Sequence, residues 1–451
     1  MATVSEIITA MREAAPAGQH DLDVRVLGEL RSLTQALIAA KPDADEEYNR
    51  FLALGQRGIG VPDADLAEWL GGTTVLVTGG TGCIGSTLLA QVAQWQPRRL
   101  VSVSRGLAND WPRLDKAEYV HADIRDRARL GAVFDEVRPD LVFHLAAQRD
   151  PGLAEQEVHR TVTTNVLGTK NVICAAEDYG VSQVVIASTG KALRPYSREV
   201  YTASKRAAEW LAAQAAGRGR TRYSAARFTH VVDNSIICHR LRGWCDSGVI
   251  RLHGADILFY AQSALESAQL LLTAGLGARR DELWVQAITD LGWPVGLLDL
   301  ALGVLARSGS EAPIYFSGYD PGYESKPFPG LYDPLTAGEV SPLVSAFEAP
   351  CVEHVPGRAT DAFPMRFGSG APGAEPEVPL QALAMACDTG EHAAIRAALD
   401  DLSWPLLDAM LSEVPRETLL RVANLTARFE DELSPVYRRI LGAVRRHTGA
   451  S

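Results

Sequence analysis

Cysteine is scarce and scattered: six residues in 451 (83, 174, 238, 245, 351 and 387), none in a Cys-x-x-Cys pair. That pattern excludes the usual zinc and dithiol frameworks. Cys238 and Cys245, with His239 and His253 nearby, match no standard ligand spacing, so no metal is expected. Lysine is rarer than arginine, with residues 41, 116, 170, 191, 205 and 326 the only six among 44 basic positions, and a lysine inside a motif is therefore informative. The 44 basic residues are outnumbered by 55 acidic ones, a formal net charge of -11 that repels phosphate backbones and anionic lipid. Neither nucleic acid nor a membrane is expected as a partner. No apolar run approaches the roughly 18 residues of a membrane span. Met1 to Gly18 mixes charges and lacks the apolar stretch of a signal peptide. The expectation is a reduced, soluble, cytoplasmic protein.

What is present is 47% hydrophobic and 22% charged residues, the balance of a globular chain with a large core. Residues 1–70 read as a helical extension, with helix-like stretches at Val4 to Glu13, Val24 to Ala40 and Asp45 to Leu54. From Thr73 the period changes. Strand-like runs at Thr74 to Thr78, Leu100 to Ser104, Leu141 to Leu145 and Gln183 to Ser188 alternate with helical patterns, including Arg125 to Val137, Glu155 to Tyr179 and Tyr201 to Ala216. Such alternation predicts an α/β fold with a doubly wound parallel sheet of Rossmann type. Residues 71–230 are expected to form that dinucleotide-binding domain and 231–330 a small mixed substrate lobe interleaved with it. Residues 331–451 are expected to be loop-rich and then helical, with loop from Asp320 to Pro379 and helix from Leu380 to Arg446.

The first strand runs into Thr78-Gly79-Gly80-Thr81-Gly82-Cys83-Ile84-Gly85, which then opens an apolar helical pattern. Glycines 79, 82 and 85 suit a tight strand-to-helix turn that lets backbone approach a pyrophosphate at a helix N-terminus. Thr81, Cys83 and Ile84 lie on the same loop. Asp123-Ile124 and Leu145-Ala146-Ala147 recur where an adenosine and a ribose would lie, and Asn165 follows on the next helical stretch. An acidic residue at the end of the second strand would bind a ribose 2′-hydroxyl, but Ser104-Arg105 offers a hydroxyl and a cation, which suit a 2′-phosphate. The expected cofactor is NADP, with NAD the alternative.

Tyr201 and Lys205 are four residues apart on a helical pattern, hence on one face. A lysine beside a tyrosine favours the phenolate, which can exchange a proton with a substrate hydroxyl or carbonyl. Ser188 and Thr189 end a strand upstream and offer hydroxyls for the same oxygen.

Together these segments resemble the extended short-chain dehydrogenase/reductases, and within them the nucleotide-sugar epimerase/dehydratase group of the polysaccharide-biosynthesis type. The resemblance runs from about Thr73 to Tyr323, through the glycine loop, residues 142–147, 164–169, 188–195, 201–209, Arg227-Phe228 and Phe316 to Gly322. It implies that Tyr201 is the acid/base, Lys205 its partner and the holder of the cofactor ribose, and Thr189 with Ser188 the binder of a small-molecule substrate. It also places Lys191 and His230 on the substrate side, and a homodimer is the expected assembly.

Departures from the family pattern shape the expected chemistry. Sugar 4,6-dehydratases of this type carry Ser-Thr-Asp-Lys, whereas this chain reads Ser188-Thr189-Gly190-Lys191, without the carboxyl that protonates the leaving hydroxyl. Asp233 or Glu199 could replace it from another loop. His230 stands where an asparagine near the nucleotide diphosphate is usual, and Asp320 to Glu324 lacks the usual cations. Arg240, Arg242 and Arg251 could compensate, or be solvated surface. Trp244, Phe259 and Tyr260 read as an aromatic pocket or as lobe core. Three functions compete: a hydride-transferring epimerase or reductase of a sugar, a ketoreductase for a non-nucleotide metabolite, and a non-catalytic cofactor-binding scaffold.

Overall fold

The computed structural model describes residues 2–106, 111–319, 328–332, 334–354, 359–367 and 377–449. Asp320 to Glu324, where the family cations are replaced, lie outside the described residues.

The chain forms two compact units. The larger comprises Gly58–Thr229, Ala264–Asp290 and Lys326–Ser451 and carries the main sheet. Its strands are β1 (Thr74–Thr78), β2 (Arg99–Ser104), β3 (Glu118–His121), β4 (Leu141–His144), β5 (Gln183–Thr189), β6 (Arg222–Phe228), β7 (Leu283–Ile288), β8 (Glu353–His354) and β9 (Thr360–Met365). Their order is β8-β9-β7-β6-β5-β4-β1-β2-β3, with β1 to β7 parallel. This is the doubly wound sheet that the alternating pattern predicts. β1 and β4 are fully buried, as expected of strands covered on both faces. The order reverses between β1 and β4, and in such sheets ligands bind beyond the carboxyl ends of the strands at that point.

The expected loop from Asp320 to Pro379 is corrected by β9, which pairs antiparallel with β7 from Leu283↔Met365 to Ile288↔Thr360. Two residues hid this strand, Asp361 near its start and Pro364 near its end. Asp361 is buried yet satisfied, accepting from Thr289 Oγ1 (2.8 Å), His354 Nδ1 (2.8 Å) and the Ser341 amide (2.7 Å). Pro364 lies beyond the stretch paired with β8, opposite Trp284 of β7. Past β9, helices Glu377–Thr389 and His392–Leu411 pack on each other, and the second lies along helix Val200–Ala216. That helix is therefore buried almost throughout its first three turns.

The smaller unit comprises Met1–Arg57, His230–Ser263 and Leu291–Ser325. Helices Val4–Ala14, Val24–Ala40 and Ala44–Ala53 supply Met11, Leu30, Leu37 and Phe51 to a core shared with Leu241, Ile250 and Tyr315. The N-terminal helices are thus part of the lobe. Its strands pair two at a time, with Ile250–Leu252 beside Ile314–Phe316 the longest pair. No helix among the described residues is long and apolar enough to cross a membrane.

Candidate active site

The glycine loop is folded on itself so closely that no side chain fits. A Cβ on Gly85 would lie 2.3 Å from the Gly79 carbonyl oxygen, and one on Gly79 would lie 2.8 Å from the Ala146 amide nitrogen. Gly79 also has φ +76°, which only glycine adopts freely. Gly82 precedes helix Cys83–Val92 without a side-chain cap, so the start of this ten-residue helix presents backbone rather than side chain. Thr81 and Ile84 are half-buried beside it and Cys83 is buried. This cradle fits a dinucleotide pyrophosphate. Ala146 donates to Thr78 Oγ1 at 3.3 Å and Leu145 to the Thr78 carbonyl at 3.0 Å, which brings Leu145-Ala146-Ala147 against the loop.

At the end of β2, Ser104 Oγ donates to the Gly106 carbonyl at 3.0 Å. Arg105 is exposed there and forms no ion pair among the described residues. Its guanidinium is lowered by desolvation and by the like charges of Arg160 and Arg125, against Asp123. Arg125 forks onto the Asp123 carboxylate at 2.6 to 3.1 Å and Arg160 pairs with Glu157 at 2.9 Å, whereas Arg105 has no such partner among the described residues. Ile124 is buried, and its carbonyl accepts from Asn171 at 2.9 Å.

Asn165 is placed by a π-helical turn, Thr163–Gly168, and its amide is fully engaged. Oδ1 accepts from the Gln148 amide (2.8 Å), while Nδ2 donates to the Gln148 carbonyl (3.0 Å) and Ser204 Oγ (3.1 Å). It joins the β4 loop to the helix of Tyr201 through protein contacts. Behind it, His144 bridges Thr78 (2.7 Å) and Thr169 (3.0 Å), and burial pushes its imidazole down to about 3, so it is neutral.

The Thr189 hydroxyl lies near enough to the Tyr201 phenol to lower it, and Thr189 Oγ1 accepts from the Lys191 amide at 3.3 Å. Burial raises the Tyr201 phenol above its ordinary value, opposed by Thr189 and by the charge of Arg149, while Asp150 adds to the rise. Lys205 Nζ donates to the Ala187 carbonyl at 2.6 Å, and burial pushes its ammonium down to about 8 against the pull of Glu209. The expected lysine-stabilised phenolate is corrected here, because desolvation dominates and the ammonium is held by a backbone carbonyl.

Ser188 is separated from Thr189 by strand alternation. Its buried hydroxyl donates to Glu209 Oε1 at 2.6 Å, so Thr189 carries the hydroxyl beside Tyr201. Glu209 in turn holds Arg227, fully buried, at 2.9 Å through Nε and Nη2. Glu348 takes Nη1 and Nη2 at 2.9 and 2.8 Å, and the Leu343 carbonyl completes all five N–H donors at 3.1 Å. Glu209 had a visible signal, a carboxylate one turn beyond Lys205 on the Tyr201 face. Glu348 had none.

Lys191 Nζ pairs with Glu199 Oε2 at 2.7 Å. His230 belongs to the lobe unit, where Nε2 bonds Ser235 Oγ at 2.8 Å and the ring packs edge-on to Phe259, 5.1 Å between centroids. Trp244 and Phe259 pack against the lobe core. Arg251 donates to the carbonyls of Gln19 (3.3 Å) and His20 (2.9 Å), so the N-terminal segment engages it.

A family described as polysaccharide biosynthesis protein matches residues 75–325, more than half of the chain. The chain belongs to this family. Its glycine cradle, Tyr201 and Lys205 all fall within the matched stretch, as the motif resemblance implies, whereas Glu348 and the C-terminal helices lie beyond it. One relative is the probable polysaccharide biosynthesis protein EpsC of Bacillus subtilis (strain 168), 29% identical over 284 residues, covering 60% of this chain and 47% of that one. Another is the UDP-N-acetylglucosamine 4,6-dehydratase (inverting) of Campylobacter jejuni subsp. jejuni serotype O:23/36 (strain 81-176), 32% identical over 170 residues, 36% of this chain and 50% of that one. The chain spans about half the length of these relatives. Over 65% of this chain and 89% of Pen from Bacillus thuringiensis the fold is similar to that of Pen, with TM-score 0.55 and 24% identity.

Proposed function

We propose that this family member is a nicotinamide-dependent enzyme of the extended short-chain dehydrogenase/reductase type, moving a hydride at a carbinol or keto carbon of a nucleotide-linked sugar by epimerisation or net redox. The observation that carries this reading is the Thr189, Tyr201 and Lys205 set on two adjoining elements of the unit that also holds the glycine cradle. When bound, a nicotinamide supplies a hydride acceptor and donor; Gly79 to Gly85 would hold its pyrophosphate and Lys205 its ribose. Tyr201 Oη takes the proton from the substrate hydroxyl, or returns it, and Thr189 Oγ1 orients the same oxygen. The raised phenol suits the protonated form, which is the acid in the reducing direction.

The reaction we propose stops short of elimination, although a relative is a dehydratase by name. Gly190 supplies no acid, and a Cβ there would lie 2.6 Å from Leu343 Cδ2. Glu199, a candidate substitute, is held ionised by Lys191 and Arg194 despite burial. Incubation with UDP-N-acetylglucosamine and UDP-glucose, with NAD⁺ and NADP⁺, is expected to give no product lighter by one water on mass spectrometry. Such a product in the wild type, lost in Tyr201→Phe, would restore the dehydratase assignment. Arg251, engaged by Gln19 and His20, favours a second reading, a ketoreductase for a substrate without a diphosphate.

The cofactor we propose is NADP. Arg105, exposed and without an ion pair among the described residues, can meet a 2′-phosphate and gains little from a hydroxyl. Calorimetric titration is expected to show NADPH binding tighter than NADH, with Arg105→Ala narrowing the gap by roughly tenfold, as for loss of one charge-assisted contact. Equal wild-type affinities would remove the assignment.

A further inference from the structure

Glu199 precedes helix Val200–Ala216, where an acidic side chain ordinarily turns back onto the first amides of the helix. It makes no such cap. Only 3% exposed, its carboxylate instead takes Lys191 Nζ (2.7 Å) and the Thr202 hydroxyl (2.8 Å) on Oε2, and Arg194 Nη1 (3.2 Å) on Oε1. Burying a carboxylate is costly unless it is paired, so this site commits a buried charge to holding Lys191. Lys191 is two residues beyond Thr189, and Glu199 is two residues before Tyr201. At the other end, Thr189 Oγ1 accepts from the Lys191 amide, and its hydroxyl lies near enough to the Tyr201 phenol to lower it.

We propose that Glu199 is a positioning residue: its grip on Lys191 closes a ring, through the backbone arms 189–191 and 199–201, that keeps the Thr189 hydroxyl against Tyr201. This deepens the function proposed above and rests on its assignment of Tyr201 as proton carrier, although the ring itself needs no substrate to be observed. Without the ion pair, Ala187 and Ser188 stay tied to later turns of the helix through Lys205 and Glu209, but Glu199, ahead of Tyr201, no longer holds the 189–191 arm. Thr189 then drifts from the phenol, whose ionised form loses a donor.

The groups facing the phenol are Thr189 on β5 and Arg149 and Asp150 on the loop after β4. None of them is altered in the test. With ¹³C-labelled tyrosine in the full chain, the Tyr201 Cζ resonance is assigned by its loss in Tyr201→Phe, and the onset of ionisation is followed for Glu199→Gln, Lys191→Met and the double variant. Both single variants are expected to move that onset upward by about half a pH unit or more, as for loss of a hydrogen bond to the charged form. The double variant should move it no further than either single one. A purely electrostatic role predicts opposite signs, downward on losing the carboxylate and upward on losing the ammonium, and that result would overturn the ring. So would an unmoved onset in either variant. Should Glu199→Gln fail to fold, Glu199→Asp keeps the charge but withdraws the carboxylate from Lys191 by one methylene: the ring requires the onset to rise, and an unmoved onset overturns it. Full activity in Tyr201→Phe would sink the proton-carrier assignment and leave this measurement untouched.

Discussion

Tyr201→Phe is expected to lower turnover by roughly two to four orders of magnitude while cofactor affinity and thermal stability stay near wild type. The ring is retained, so packing is conserved, and only the transferable proton is deleted. The raised phenol sharpens this expectation, because at neutral pH the group is a loaded acid whose removal leaves no proton beside Thr189. Lys205→Ala should behave differently, weakening cofactor binding as well, since Lys205, held by the Ala187 carbonyl, is the group we assign to the cofactor ribose. Steady-state rates on whichever nucleotide sugar turns over, with calorimetric cofactor titration alongside, separate the two. A Tyr201→Phe enzyme with more than a tenth of wild-type turnover would mean that another group carries the proton.

Glu348→Leu is expected to be the most destabilising single change named for this chain, by about 3 to 5 kcal/mol, as for breaking a buried pair from one side. Glu348 satisfies Arg227 at 2.8 and 2.9 Å and touches Arg206 at 3.4 Å, and leucine leaves two buried guanidiniums to share the one carboxylate of Glu209. Against a typical stability of roughly 5 to 15 kcal/mol, this is a large share. The control is the surface pair Arg366 and Glu282, half and one-third exposed, where Glu282→Ala should cost under about 1 kcal/mol. Denaturant unfolding of both variants checks the contrast, and a Glu348→Leu protein within about 1 kcal/mol of wild type would show that the cluster relaxes or admits water. The pH dependence has a definite sign. Arg227 and Arg206 hold the Glu209 carboxyl below 4.5 although burial alone would raise it. Its contribution is therefore present above about 4.5 and is lost as the pH falls through the lower folded value.

The cluster also shows why some functional residues could be read directly and others could not. Gly79 and Gly85, and the spacing of Tyr201 and Lys205, record constraints acting over a short stretch of chain: a positive φ at Gly79, a loop carbonyl too close for a Cβ at Gly85, a four-residue helical period. Adjacent side chains on a strand point to opposite faces, so Ser188 and Thr189 could already be expected to part. Which one meets Tyr201 depended on where the next helix lies, and Glu209 decided it.

By itself the sequence determined the parallel α/β order, the dinucleotide cradle and the Tyr201 and Lys205 pair, because period, turn chemistry and spacing are local properties of the chain. Only the tertiary structure decided that the phenol is raised rather than lowered, that Asn165 is spent on Gln148 and Ser204, that Arg251 is engaged by the N-terminal segment, and that Thr360–Met365 extends the sheet. Each depends on which groups share a low-dielectric space. Partners such as Arg227 and Glu348, 121 residues apart, leave no periodic trace in the sequence, since a charge is satisfied by proximity in space whatever its distance along the chain.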